Sequence, residues 1–145
     1  MIIRHDKGYL DTGKKTLVMG ILNVTPDSFY DGGKYYDIEN ALNRARKMVE
    51  DGVDIIDIGG ESTRPNSSSV SVDEEVKRVV PLIKELSRET QIPISIDTFK
   101  AEVADKAIKA GAQIVNDISG LQSDQEMANV VATNNTPIII MHIKG

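Results

Sequence analysis

The sequence contains no cysteine, which excludes a disulfide framework, a thiol nucleophile and a cysteine-based metal site together. No apolar run approaches membrane-spanning length, and the first fifteen residues are too broken by charge for a signal peptide. A cytosolic setting is therefore expected. Low-complexity stretches and interdomain linkers are lacking too; the most polar patch, Pro65 to Ser71, reads as a loop. The net charge of -5 argues against nucleic acid or an anionic membrane as the main partner. It leaves open an anionic small molecule, which needs only a local Arg, Lys or metal. Histidine is scarce: His5 reads as a surface residue and His142 as structural, so a Ser-His-Asp arrangement is not on offer. With 145 residues the chain can build one core but not two ordinary domains, so residues 1–145 are read as a single domain.

What is present is an alternation. Leu17–Leu22, Ile55–Ile58, Ile94–Ile96, Gln113–Val115 and Ile138–Met141 are short apolar or β-branched runs that predict strands. Helical patterns lie between them. Ile38, Ala41, Leu42, Ala45, Met48 and Val49 share one face, with Asp37 as a cap and Gly52 as a stop. Ser71 with Glu74 forms a capping box for a second helix, whose buried face is expected to be Val76, Val79, Val80, Ile83 and Leu86, with a kink or tight turn at Pro81. Val103, Ala104, Ala107 and Ile108 predict a third helix ended by Gly111. Ser123 with Glu126 is expected to cap a fourth, carrying Met127, Val130 and Val131. This β-α-β order predicts a parallel sheet with right-handed crossovers, and the residues before Thr16 suggest a small hairpin over one end.

Polar residues collect where these strands end: Asn23 on the first, Asp57 on the second, Asp97-Thr98 on the third, Asn116-Asp117 on the fourth and Met141-His142 on the fifth. In a (β/α) barrel that rim binds ligands. One strand-end Asp is explained as often by helix capping; five consecutive polar ends are not. A carboxylate on such a strand is costly to desolvate without a partner, and no Lys or Arg lies on these strands. A heterocycle with parallel N–H donors would supply the missing partner in bidentate geometry.

The segments ILNVTPDSFYDGG, DIIDIGGESTRP, PISIDTF and IVNDISG, in this order and spacing, resemble the dihydropteroate synthase family. The resemblance implies a parallel (β/α)8 TIM barrel and a transferase of folate biosynthesis, the target of sulfonamides. The implied reaction condenses 6-hydroxymethyl-7,8-dihydropterin pyrophosphate with p-aminobenzoate to give dihydropteroate and pyrophosphate. It implies that Asn23 coordinates a pyrophosphate-borne Mg²⁺, a hard ligand for a hard cation. Asp97 and Asn116 would hold the pterin ring, with Ile118 and Met141 as its apolar walls. Asp57 would face the same cavity, either touching ligand or supporting an Arg or a loop. Thr63 and Arg64 would lie near pyrophosphate and aminobenzoate, and Asp27, Ser28 and Phe29 would belong to a first loop over them. Asp97 and Arg64 are the catalytic candidates.

A (β/α)8 barrel takes about 250 residues, so this chain is expected to supply its first five strands and four helices. Little catalysis by this chain alone is expected, as is a homodimer or other self-association that covers the open sheet edge. Two other readings are the pterin-binding domain of a corrinoid-linked methyltransferase and a non-catalytic pterin-binding half-barrel.

Overall fold

The computed structural model describes residues 1–25, 38–62 and 68–142. Two short strands, β1 (Ile2–His5) and β2 (Gly8–Asp11), form the expected hairpin, with His5 opposite Gly8. There follow β3 (Met19–Asn23), α1 (Ile38–Glu50), β4 (Ile55–Gly59), α2 (Val72–Glu89) and β5 (Ile94–Asp97). The series continues with α3 (Ala101–Ala110), β6 (Ile114–Asp117), α4 (Met127–Thr133) and β7 (Ile138–Ile140). Strands β3 to β7 lie side by side in chain order, every pairing parallel. This is the (β/α) barrel arrangement, represented among the described residues by five parallel strands and four helices. No helix among them is long and apolar enough to cross a membrane.

Alternation along the strands separates the sheet into two faces. Leu22, Ile56, Ile58, Ile94, Ile96 and Val115 turn towards the helices, each with essentially no exposed surface. Each such side chain contributes about 1.5–3 kcal/mol relative to exposure, so this face holds the fold. Small residues on the helices, Ala41, Ala45, Ala104 and Ala107, are buried against it and let the helix backbones approach. Lys7 of the hairpin donates 2.8 Å hydrogen bonds to the Ser87 and Thr90 carbonyls, satisfying the C-terminus of α2.

The helix signals differ from their expected form in two places. Ser71 does cap α2, accepting from the Glu74 N–H at 3.2 Å, but the buried stripe is Glu75, Arg78, Val79, Leu82, Ile83 and Leu86. Val76 and Val80 are displaced to its edge because two charged residues are buried for a reason described below. The helix runs through Pro81 from Val72 to Glu89. At α4, Ser123 is not the cap. The N-cap position is Glu126, without a side-chain capping bond; Asp124, in the turn before it, accepts through its two carboxylate oxygens from the N–H groups of Glu126 (3.0 Å) and of Ala101 at the start of α3 (2.8 Å). One carboxylate thus satisfies the N-terminus of α3 and braces the turn into α4. Gly111 ends α3 at φ +123°, where an added Cβ would meet the Ser87 side chain at 2.6 Å. The site thus demands glycine both for conformation and for the close approach of α2 to α3.

Candidate active site

Strand register, not sequence proximity, assembles the site. Asn23 pairs with Gly59, Gly59 with Asp97, Asp97 with Asn116 and Asn116 with Ile139, a single rung crossing all five strands. One step down on the same face lie Ile21, Asp57, Ser95 and Ile114. Each polar residue of this set faces away from the helical core because its neighbours in sequence, such as Ile58 and Ile96, face into it. Gly59 leaves the middle of the rung open. A methyl group there would lie 3.4 Å from Asp97 Oδ2 and 3.5 Å from Asn23 Oδ1, so both oxygens border the same small space.

The electrostatics of this face are unbalanced. Asp57, almost fully buried, accepts a 3.1 Å hydrogen bond from the Asn116 amide through Oδ2, while its buried Oδ1 has no hydrogen-bond partner. Burial raises its pKa, and the nearby Ser95 hydroxyl and Asn116 amide pull it partly back. Asp97 is raised further, to about 7, by burial and then by the charges of Asp57, Glu75 and Asp117. Among the described residues nothing donates a hydrogen bond to the Asp97 carboxylate. A buried oxygen without a donor, as at Asp57 Oδ1, is costly to the fold, and the half-buried Asp97 carboxylate beside it suits a ligand that brings N–H groups.

Beside the rung the start of the GGES segment is anchored from α2 and the β5–α3 loop. Lys100 donates to Glu61, to Glu75 Oε2 at 2.6 Å and to the Val70 carbonyl at 2.7 Å. Arg78 donates to the Gly60 carbonyl at 2.8 Å and to Glu74 at 3.2 Å. Burial lowers the Lys100 pKa, but the carboxylates of Glu61 and Glu75 outweigh it and the net direction is upward. At Gly60 an added Cβ would strike Val79 at 2.8 Å and Glu75 at 3.0 Å, so the segment packs on α2 without room for a side chain. This explains why Glu75 and Arg78 take core positions.

The sequence-derived candidates therefore divide. Asn23, Asp57, Asp97 and Asn116 share one face. Asp57 accepts from Asn116, and Arg78 donates to the Gly60 carbonyl and to Glu74; Arg64 lies outside the described residues. Ile118, half-buried, opens the turn after β6, and Met141, exposed, follows β7 at the same rim. The fifth strand brings Ile139 to the rung; His142, exposed beyond it, is not part of it. Asp117, the other strand-end acid, is fully buried on the helical side and accepts from Ser119 and from the Leu121 N–H, shaping the turn. Asp27, Ser28, Phe29, Thr63 and Arg64 lie outside the described residues. Sequence reading missed Ser95, Glu75 and Lys100; a lone buried-phase acid on an amphipathic helix was the available signal for Glu75.

For a divalent cation, Asn23 offers one exposed amide oxygen, and no group of three His, Asp or Glu side chains among the described residues forms a cage. That donor set fits Mg²⁺ carried on a ligand's phosphates, which keeps most of its own oxygen shell. A groove of about 500 Å³ between α2 and α3, lined by Val76, Val80, Lys84 and Lys106 among others, contains none of the rung residues. The candidate site is the open rung.

Residues 19–145 match the pterin binding enzyme family. The dihydropteroate synthase of Bacillus subtilis (strain 168) is 56% identical over 97% of this chain and 50% of its own length. The crystal structure of a Clostridium difficile dihydropteroate synthase, determined in the presence of pteroic acid, is 53% identical. It superposes at a TM-score of 0.89, covering 93% of this chain and 51% of that one. The Yersinia pestis enzyme with a sulfonamide drug complex is 42% identical, also at 0.89, over 100% of this chain and 52% of its own. The chain spans about half the length of the curated relatives it matches.

Proposed function

We propose a function from an established premise: the chain belongs to the pterin binding enzyme family. Our reading is that it carries the pterin-binding half of a dihydropteroate synthase. The substrates would be 6-hydroxymethyl-7,8-dihydropterin pyrophosphate and p-aminobenzoate. The observation that carries this reading is the rung Asn23–Gly59–Asp97–Asn116, with a carboxylate that no described residue satisfies.

Asp97 accepts the parallel N–H donors of the pterin edge, which favours its ionised form and relieves an unsatisfied group. Asn116, held by Asp57, offers its carbonyl oxygen to a further ring donor. Ile118 and Met141 supply apolar surface to the ring. In the reaction the bond between the exocyclic methylene and pyrophosphate oxygen breaks, its electron pair leaving with pyrophosphate. Positive charge then develops on the pterin, and the Asp97 carboxylate stabilises it across a partly water-excluded face. The aromatic amine forms the new C–N bond and releases one proton to solvent. Bound Mg²⁺, held by Asn23, would neutralise charge on the departing pyrophosphate. This reading assigns Thr63 and Arg64 to the pyrophosphate and aminobenzoate, and Asp27, Ser28 and Phe29 to covering them. No protein nucleophile enters the scheme.

The test is calorimetric titration of the purified protein with 6-hydroxymethylpterin, alongside Asp97→Asn. Saturable binding that the substitution weakens at least tenfold supports the site. Absence of binding at millimolar pterin, or equal binding by both proteins, overturns it. Pyrophosphate release that depends on p-aminobenzoate would identify the transfer, whereas methyl transfer from a methylated folate would sink it.

A further inference from the structure

Met141 stands where its strand has run out. Strand β7 ends at Ile140, whose register partner Asp117 is the last residue of β6. Beyond that pair β6 turns away, and the Met141 side chain is exposed at the rim. No strand ladder holds this residue, yet its backbone rests on the 117–121 turn from both sides. The Met141 N–H donates to the Asp117 carbonyl at 3.3 Å, and the same carbonyl accepts from the Gly120 N–H at 3.1 Å. The Met141 carbonyl in turn abuts Gly120, where an added Cβ would lie 2.6 Å from its oxygen. Gly120 has φ +63° and Leu121 φ +68°, so the turn contains two successive left-handed residues, one of them not glycine. Such a backbone persists only where its surroundings over-determine it. Here the Asp117 carboxylate does so, with no surface exposed. Its Oδ1 accepts from the Ser119 N–H at 2.8 Å and hydroxyl at 2.7 Å, and its Oδ2 from the Leu121 N–H at 2.9 Å.

We propose that Asp117 is a positioning residue for the pterin ring: its carboxylate locks the 118–121 turn, and the locked turn sets where Met141 presents its apolar surface. This rests on the functional reading given above, in which Met141 is a wall of the ring site. Asp117 lies on the helical side and reaches the ligand only through backbone. Alternation along β6 makes that division possible, because Asn116 and Asp117 face opposite sides of the sheet. One strand end thus sends a ring-binding amide to one face and a turn-locking carboxylate to the other. Because both the N–H and the carbonyl of Met141 rest on the turn, a turn that relaxes carries Met141 with it. An aspartate that merely closed a turn would support the fold and leave pterin affinity independent of Met141.

The experiment is a pair of double-mutant cycles read by calorimetric titration with 6-hydroxymethylpterin. One joins Asp117→Asn to Met141→Ala, the other Gly120→Ala to Met141→Ala. Each single substitution should weaken pterin about fivefold or more, the loss of one apolar wall. In the Met141→Ala background, Asp117→Asn and Gly120→Ala should each cost less than about twofold more, because the side chain they position is gone. Losses that simply add, or unchanged affinity in any of the three single variants, overturn the proposal. A second readout needs no ligand: in a methionine-methyl NMR spectrum the Met141 signal should shift in Asp117→Asn and in Gly120→Ala. The signal of Met48, packed against β3 at Gly20, should stay in place. A Met141 signal that does not move overturns the proposal. Should Asp117→Asn fail to fold, the Gly120→Ala cycle and the milder Ser119→Ala, which removes one of the three bonds to the carboxylate, decide by the same criteria. If wild type binds no pterin, the functional reading fails and the ring-positioning role with it. If wild type binds and the losses add, the reading stands and this proposal alone falls.

Discussion

The two faces of one sheet make opposite use of the same five strands. Towards the helices, Leu22, Ile56, Ile58, Ile94, Ile96 and Val115 are sealed from water. On the other face stand the polar Asn23, Asp57, Ser95, Asp97 and Asn116, of which Asp57 and Ser95 are buried at a cost to stability. The contrast is sharpest at Gly59 and Gly60. The first leaves open space between Asp97 and Asn23, while the second is pressed against Val79 and Glu75. Adjacent identical residues thus serve binding and packing respectively. One face stores the stability that the other spends.

The comparison can be broken most strongly from the packing side. Ile96→Ala, at a position with no exposed surface, should cost about 2–5 kcal/mol of unfolding free energy, read by urea denaturation. Asp97→Asn, one residue on and on the other face, should act oppositely. It should lose about 1.5–3 kcal/mol of pterin affinity, the range for hydrogen bonds to a charged group, yet raise Tm at pH 8. The sign follows from linkage. Asp97 titrates at about 7 in the folded chain, above its ordinary value. Between about pH 4 and 7 the folded state therefore binds more protons than the unfolded one, and this group's contribution to stability is lost as pH rises through 7. At pH 4 the substitution should leave Tm nearly unchanged, and a Tm gain there equal to that at pH 8 would refute the assignment. For wild type, pterin affinity should climb with pH up to about 7 and then level off, because the ligand takes the ionised carboxylate.

The glycine pair sharpens the contrast further. Gly60→Ala should destabilise by about 1–3 kcal/mol through overpacking. Gly59→Ala meets only ordinary contact distances, so it should change stability little while blocking pterin binding in calorimetry. Reversal of these two outcomes would mean the faces have been assigned the wrong way round. The smallest effect belongs to the cap. Ser71→Ala should cost about 1 kcal/mol of stability and leave pterin affinity within twofold, since the Ser71 hydroxyl accepts from the Glu74 N–H at the start of α2.

How far the sequence was readable depended on the range of the interaction. The five parallel strands and four helices were legible from apolar periodicity and from local stops such as Gly111. Ser71 was legible because its partner lies three residues away. Asp124 was not, since one of its two partners is the Ala101 N–H across the fold. In the same way Glu75 and Arg78 look like solvated helix charges until α2 is docked on Gly60 and Lys100. Strand-end positions marked Asn23, Asp97 and Asn116 as candidates, but equally marked Asp117, which the turn after β6 uses for itself.

Sequence alone determined which residues alternate, where strands stop and that polar groups gather at those stops, because such signals depend on near neighbours and backbone geometry. Only the tertiary structure decided that Asn23, Gly59, Asp97 and Asn116 occupy one rung, that Asp57 serves Asn116, and that Lys100 ties Glu61 to Glu75. Register between strands and the docking of helices set those relations, and both arise from packing many residues at once.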